Sequence, residues 1–414
     1  MSLISIPTNH PVLTTAERDR RYAALRALME SSDLRAIVFF PGGPERLERY
    51  VSNEVLNGVV VLPADADPIY LIGRHPLPRY DVVGADFERW IDDIRLNPGP
   101  AGIADVLAEI GGDRARVGVV GLSSRSVGAG AGYIPFSLWA GVQAAAPEVA
   151  FVDVSVAVEH IVLVKSDEEL TLMRASAALG EAACAAFIGA SRDGGRESEA
   201  VAAAFAAMVA GGGEVFGPGI IQRSGSDRFG WAPPEWLTMG GGSRVLQHGD
   251  TISAEIFAYY AGYQTQQQID VAIGAPNALL KDLEAVCIES YDIGVSMIRP
   301  GVMFGEIAAA MERPIIDAGF WNTGPQIQTV SPVMYNSATH QNTDVDPRLR
   351  DLPSMPPTVP QDGDFVLEKG IVFAVQPNAL LGGRRVSIGG AVITTDSAAE
   401  ELNSLPLVLN VVES

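Results

Sequence analysis

The sequence predicts an α+β chain of two domains, a smaller α/β domain over residues 1–160 followed by a larger α+β domain over residues 161–414. Three observations carry this expectation. The length of 414 residues exceeds what a single hydrophobic core usually serves. Strand and helix signals alternate through residues 1–150, whereas beyond Val164 the pattern changes to long strands and Gly/Pro turns with two interposed helices. A composition of 47% hydrophobic and 19% charged residues, without a low-complexity tract, supports packing along the whole chain.

The elements follow in order. Glu17 to Ser31 carries Tyr22, Leu25 and Met29 at helical spacing, Ala36 to Phe40 is a buried-strand run, and Gly58 to Leu62 with Pro68 to Ile72 forms a strand pair around a polar turn. Arg116 to Val120 is a further strand. The Gly-rich stretch Gly128 to Gly132 lacks the Lys-Ser/Thr ending of a phosphate loop and reads as a plain loop. Lys165-Ser166-Asp167-Glu168-Glu169 is a helix start, with Ser166 as N-cap and Glu169 placed to cap in return. Leu170, Met173, Ala177 and Cys184 then fall on one stripe. A helix over Glu197 to Ala210 closes at Gly211-Gly212-Gly213, and two more are expected around Ala278 to Ile298 and Met303 to Ala318. Pro353 to Pro360 is an extended loop.

The formal charge of −21 repels phosphate backbones and anionic membrane surfaces, so neither nucleic acid nor a membrane is an expected partner. No basic leader with an apolar stretch opens the sequence and no run of 18 or more apolar residues follows, which makes a cytoplasmic location the expectation. Cys184 and Cys287 are too few for a disulfide framework and are expected as buried thiols.

Several segments of the second domain carry a resemblance. After the helix start at Lys165 come His248-Gly249-Asp250-Thr251-Ile252-Ser253-Ala254-Glu255, Ala261-Gly262-Tyr263, Ile273-Gly274-Ala275-Pro276, Ile298-Arg299-Pro300-Gly301-Val302, Thr323-Gly324-Pro325-Gln326-Ile327-Gln328, Leu367-Glu368-Lys369-Gly370 through Gln376-Pro377, and Ile393-Thr394-Thr395-Asp396. In this order and spacing they resemble the pita-bread family of prolidase, Xaa-Pro aminopeptidase, methionine aminopeptidase and creatinase. The resemblance implies a pita-bread C-terminal domain behind a creatinase-type N-terminal domain.

Peptidases of that family hold two divalent metals with two Asp, one His and two Glu. The matching positions here are Glu255, Gln266, Pro325, Gln376 and Gly389, so one ligand of the set survives. A single carboxylate offsets too little of the charge of two metal ions, and the expectation is a site with no metal and no cofactor. Creatinase is the family precedent for metal-free work, and Ala261-Gly262-Tyr263 followed by Thr265 is similar to its sequence there. Its catalytic His position falls on or beside Ala232, however, and its two binding Glu positions on Gln268 and Gln376. Neither mechanism transfers directly.

If Gln264 to Gln268 is a strand, Gln264, Gln266 and Gln268 share one face and Thr265 and Gln267 the other. With Gln376, Gln326 and Gln328 opposite, the wall suits a polar, uncharged or zwitterionic small molecule, or else a retired site whose amides bond one another. Glu255 is the expected general base or a structural carboxylate bonded to the glutamines, and His340 a second catalytic candidate or an exposed loop histidine. Tyr263, with Tyr259 and Tyr260, donates a proton, stacks on a ligand or simply fills core. Trp231 and Trp236 form a lid in family terms, and Arg223, Asp227, Arg228 and Arg385 stand at the expected rim, where an arginine suits a substrate carboxylate. Three readings remain open: a metal-independent hydrolase or lyase acting on a C–N or related bond, a non-catalytic module binding a peptide or metabolite, and a metal shifted to new ligands, which needs clustered His, Asp or Glu that the sequence does not offer. Relatives imply a homodimer, with Arg46, Arg49 and Asn53 of the loop Glu45 to Asn53 reaching the partner's site.

Overall fold

The computed structural model describes residues 10–42, 46–54, 56–73, 88–126, 132–215, 219–225, 232–337 and 365–413. Two compact units divide the chain. One comprises Val12–Glu168 with Pro332–Met334, the other Met1–Pro11, Glu169–Ser331 and Tyr335–Ser414. The division falls at 168/169 rather than 160/161, because the helix Ser155–Leu163, whose Val158, Val162 and Leu163 are buried, stays with the first unit.

The first unit is built on a mixed six-stranded sheet in the order β4-β3-β2-β1-β5-β6, from β1 (Ala36–Phe39), β2 (Gly58–Pro63), β3 (Ile69–Ile72), β4 (Asp93–Leu96), β5 (Arg116–Val120) and β6 (Ala150–Asp153). β1 pairs parallel with β5 and antiparallel with β2. Every residue of β1 is buried, as a central strand covered on both faces requires, and Val38, Val59, Val61 and Leu71 pack with Ile103, Val106 and Leu107 of the helix Pro100–Glu109. The helix Thr15–Ser32 is fixed by Arg21. Its Nε donates to Glu17 at 2.7 Å, its Nη1 to the Tyr50 carbonyl at 2.9 Å, and its guanidinium lies 4.2 Å over the Tyr50 ring. The expected loop around Arg46 to Asn53 is the short helix Leu47–Ser52 instead, and Arg46 binds Glu48 and Asn57 of its own unit. The Gly128 to Gly132 and Pro353 to Pro360 stretches lie mostly or wholly outside the described residues.

The second unit supplies β7 (Ile220–Gly225), β8 (Thr251–Tyr260), β9 (Tyr263–Ile273), β10 (Ile327–Thr329), β11 (Val372–Val375), β12 (Asn378–Leu381), β13 (Arg384–Ser387), β14 (Gly390–Thr394), β15 (Ala399–Glu401) and β16 (Asn410–Val412). They form a sheet β16-β9-β8-β7, a second sheet β10-β11-β14-β15 and the hairpin β12-β13. Among the described residues these strands pair antiparallel, except that β16 joins β9 in parallel. β8 turns into β9 through Ala261 and Gly262, both at positive φ, the conformation a two-residue hairpin turn needs. Helices Asp167–Ala190, Glu197–Ala210, Ala278–Met297 and Phe304–Asp317 accompany them, with the short helix Glu235–Thr238. The first of these is long and apolar enough to cross a membrane by length and composition, but 67% of its apolar window is buried, as in a core helix. Cys184 and Cys287 are both buried free thiols.

Candidate functional site

The β8–β9 register fixes what faces what. Glu255 stands across from Gln268, Phe257 from Gln266, Tyr259 from Gln264 and Ser253 from Asp270, so alternation puts all eight side chains on one face. The opposite face meets the helix Asp167–Ala190. There Ser176 bonds the Ala258 carbonyl and Thr265, and the bare Cα of Gly180 leaves room for the Gln267 amide, which an added Cβ would meet at 1.9 Å.

On the first face the glutamines bond head to tail. Gln328 Nε2 donates to Gln266 Oε1, Gln266 Nε2 to Gln264 Oε1 at 2.9 Å, and Gln264 Nε2 to the Tyr259 hydroxyl. A second chain runs beside it. Gln268 Nε2 donates to Gln376 Oε1 at 3.0 Å, Ser387 Oγ donates to Gln268 Oε1 at 3.2 Å, and the Ser387 amide donates to Asp270 Oδ2 at 2.7 Å. Apart from the half-buried Tyr259, these side chains are nearly or fully buried, so each bond forms where water competes little and its loss leaves an amide stranded. The Nε2 of Gln376 and Oδ1 of Asp270 have no hydrogen-bond partner among the described residues.

Among the described residues, Glu255, Asp270 and Arg385 bring charge to this face. Arg385, on β13, is 5% exposed and has Asp270 and Glu255 as its carboxylate neighbours. Burial pushes Asp270 up to about 6 despite Arg385 and the bonds from Ser253 and Ser387. Burial likewise lowers the Arg385 guanidinium, and the two carboxylates act against that.

Four expected site residues lie elsewhere or act differently. Tyr263 belongs to the opposite face, where its hydroxyl donates to Glu169 at 2.8 Å; odd positions of β9 face the helix. Gln326 precedes β10, and its amide clips the backbone, donating to the Asn378 carbonyl and accepting from the Asn378 amide at 3.2 Å each, so it joins no glutamine chain. Arg223 Nη1 is taken by the carbonyls of Gln222, Ala232 and Pro233, which holds the strand end. Arg385 is buried, with Asp270 and Glu255 as its electrostatic neighbours, and does not stand exposed at a rim. Trp231 and His340, like Asp227 and Arg228, lie outside the described residues. Asp270 and Ser387 were missed, although Asp270 continues the even-numbered face of Gln264, Gln266 and Gln268.

The residues do not fit the family's binuclear metal centre. The Gln266 amide is engaged at both ends by other amides, and Pro325 has no donor atom. Gly389 adopts φ +139°, and a Cβ there would meet the Val375 carbonyl at 1.9 Å, so no side chain can project from this position as the backbone stands. Among the described residues no group of three or more His, Cys, Asp or Glu side chains is arranged to hold a metal ion.

The model of metallopeptidase family M24 matches residues 171–397, more than half of the chain. The chain belongs to metallopeptidase family M24. This M24 protein is 24% identical over 302 residues to creatinase of a Bacillus species, covering 69% of the chain and 68% of the relative. It is 26% identical over 202 residues to the uncharacterized hydrolase/peptidase y4tL of Sinorhizobium fredii, covering 48% of the chain and half of that relative's length. Its structure is similar to the Xaa-Pro dipeptidase from Bacillus anthracis, with a TM-score of 0.73 and 19% identity over 95% of this chain and all of that one. The prolidase from Pyrococcus horikoshii gives 0.71 and 16% over 94% and 100%. These likenesses establish the pita-bread M24 fold with its prolidase-like two-part layout, and membership of the family supports a hydrolase-type function.

Proposed function

We propose that this M24 protein is a metal-independent, creatinase-like hydrolase or lyase acting on a C–N or related bond of a small polar compound. The observation that carries the reading is Glu255, a carboxylate 3% exposed on the same face as Gln264, Gln266 and Gln268 and directly opposite Gln268. A base that removes a proton from water needs such sheltered placement, and amides that orient a neutral or zwitterionic compound need the fixed geometry of the two glutamine chains. In the hydrolytic form Glu255 takes a proton from a water molecule, the water oxygen bonds to carbon, the C–N bond breaks, and nitrogen leaves with the proton that Glu255 returns. The likeness to a relative named creatinase supports the same class. We also propose a homodimer, which light scattering would show as twice the chain mass; a monomer would overturn it.

The competing account is a binding module without turnover, favoured by the position of the creatinase catalytic His, which falls on or beside Ala232. Screening small C–N compounds with a chelator present separates the two. Turnover that survives the chelator and falls by about 10²-fold or more in Glu255→Gln supports the enzyme. Turnover that needs added metal, or that is untouched by Glu255→Gln, overturns it.

A further inference from the structure

We propose that Arg385, braced by Asp270, is the resident cation of the site and the positioning residue for Glu255, taking the electrostatic place that the family's metals would hold. The proposal rests on the reading of Glu255 as the base. It starts from the disagreement between family and residues. A carboxylate kept in a metal site is normally oriented by the metal, and here Gly389, Pro325 and the engaged Gln266 leave no metal site to do so.

The fold supplies a replacement. β13 carries Arg385 and Ser387 on one face, and the Ser387 amide donating to Asp270 at 2.7 Å ties that strand to β9. Asp270 and Glu255 share one face of the sheet, because the cross-strand pairs Ser253–Asp270 and Glu255–Gln268 are two positions apart in the register. Both acids are electrostatic neighbours of the one guanidinium. Asp270 is fully buried and its Oδ1 has no hydrogen-bond partner among the described residues, so this carboxylate is kept at a cost that packing alone does not explain. A planar guanidinium with five donors can serve two carboxylates at once, which a lysine ammonium of the same charge cannot do with fixed geometry. Neither Asp270 nor Arg385 stands at a ligand position of the family.

Two double-mutant cycles on the full chain, read by urea unfolding, test this. One combines Arg385→Met with Asp270→Asn, the other Arg385→Met with Glu255→Gln. A bridge that merely holds the fold couples Arg385 to Asp270 alone. The proposal expects coupling to both acids, each about tenfold or more in the unfolding equilibrium constant. Absence of coupling between Arg385 and Glu255 overturns it. Should Arg385→Met fail to fold, Arg385→Lys replaces it in both cycles with the same criteria. On compounds that the wild type turns over, Arg385→Lys is expected to lower kcat while KM stays within about twofold; an unchanged kcat overturns the positioning role. If Glu255→Gln leaves turnover intact, the base assignment has failed, and the coupling cycles still report separately on the pair.

Discussion

The carbonyl oxygen of Val375 lies 1.9 Å from the point where Gly389 would carry a Cβ. Two physical demands meet at this residue, a φ of +139° that disfavours any side chain and a neighbour that is backbone and cannot swing away. Gly389→Ala is therefore expected to cost about 3 kcal/mol or more in urea unfolding. Gly389→Glu, which restores the family's acid by name, should bind no manganese after dialysis, and elemental analysis showing about one ion per chain would reject this.

Restoring ligands at the other positions should also fail. Gln376→Glu still accepts from Gln268 but adds a third carboxylate to a face whose cation is Arg385, and Gln266→Asp removes the donor that holds Gln264. Each is expected to cost on the order of a few kcal/mol. Neither variant, alone or combined, should cleave Xaa-Pro dipeptides with added manganese. Cleavage by the double variant would show that the remaining positions do form a metal site.

Tyr263→Phe separates the two faces of β9. Loss of the bond to buried Glu169 is expected to cost about 1–3 kcal/mol, with the affinity for any pocket ligand unchanged. Calorimetric titration showing weaker ligand binding in a folded Tyr263→Phe protein would return this tyrosine to the site.

Asp270 gives a pH dependence whose sign is fixed. Its folded value of about 6 lies above the ordinary 3.8, chiefly through burial, so the folded state holds the proton more tightly than the unfolded chain does. Well below the unfolded value of 3.8 the residue is neutral in both states; as pH rises from there to 7 its ionisation destabilises the fold. The stability of Asp270→Asn relative to wild type should accordingly improve by up to about 3 kcal/mol between pH 4 and pH 7. Unfolding curves at pH 4, 5.5 and 7 that keep a constant gap would contradict the assignment.

The sequence made some of this site legible and concealed the rest for definable reasons. A strand period of two was enough to gather Gln264, Gln266 and Gln268, and the same count would have sent Tyr263 away and brought Asp270 in. Gln326 misled because it sits two residues before Gln328, yet β10 begins only at Ile327, and outside a strand the alternation has no force. The partnership of Arg385 with acids on β8 and β9 spans more than a hundred residues and no local pattern announces it. In the first unit β4 and β6 escaped notice since edge strands such as Asp93–Leu96 are short, charged and half exposed.

β9 carries three of the glutamines and Asp270, and β16 covers its outer side through Asn410–Val412, while Glu181 anchors the approach by accepting from the Ser404 hydroxyl and amide and the Leu405 amide. That short segment works as a selvedge, the finished margin that keeps a woven cloth from unravelling. Trimmed back to Asn403 by a protease, the chain would present an open row of amide and carbonyl groups along the strand on which the pocket depends, inviting a stray strand from another molecule to dock there. Preparations that lose this tail should thus clump before they lose helicity, with the pocket failing first.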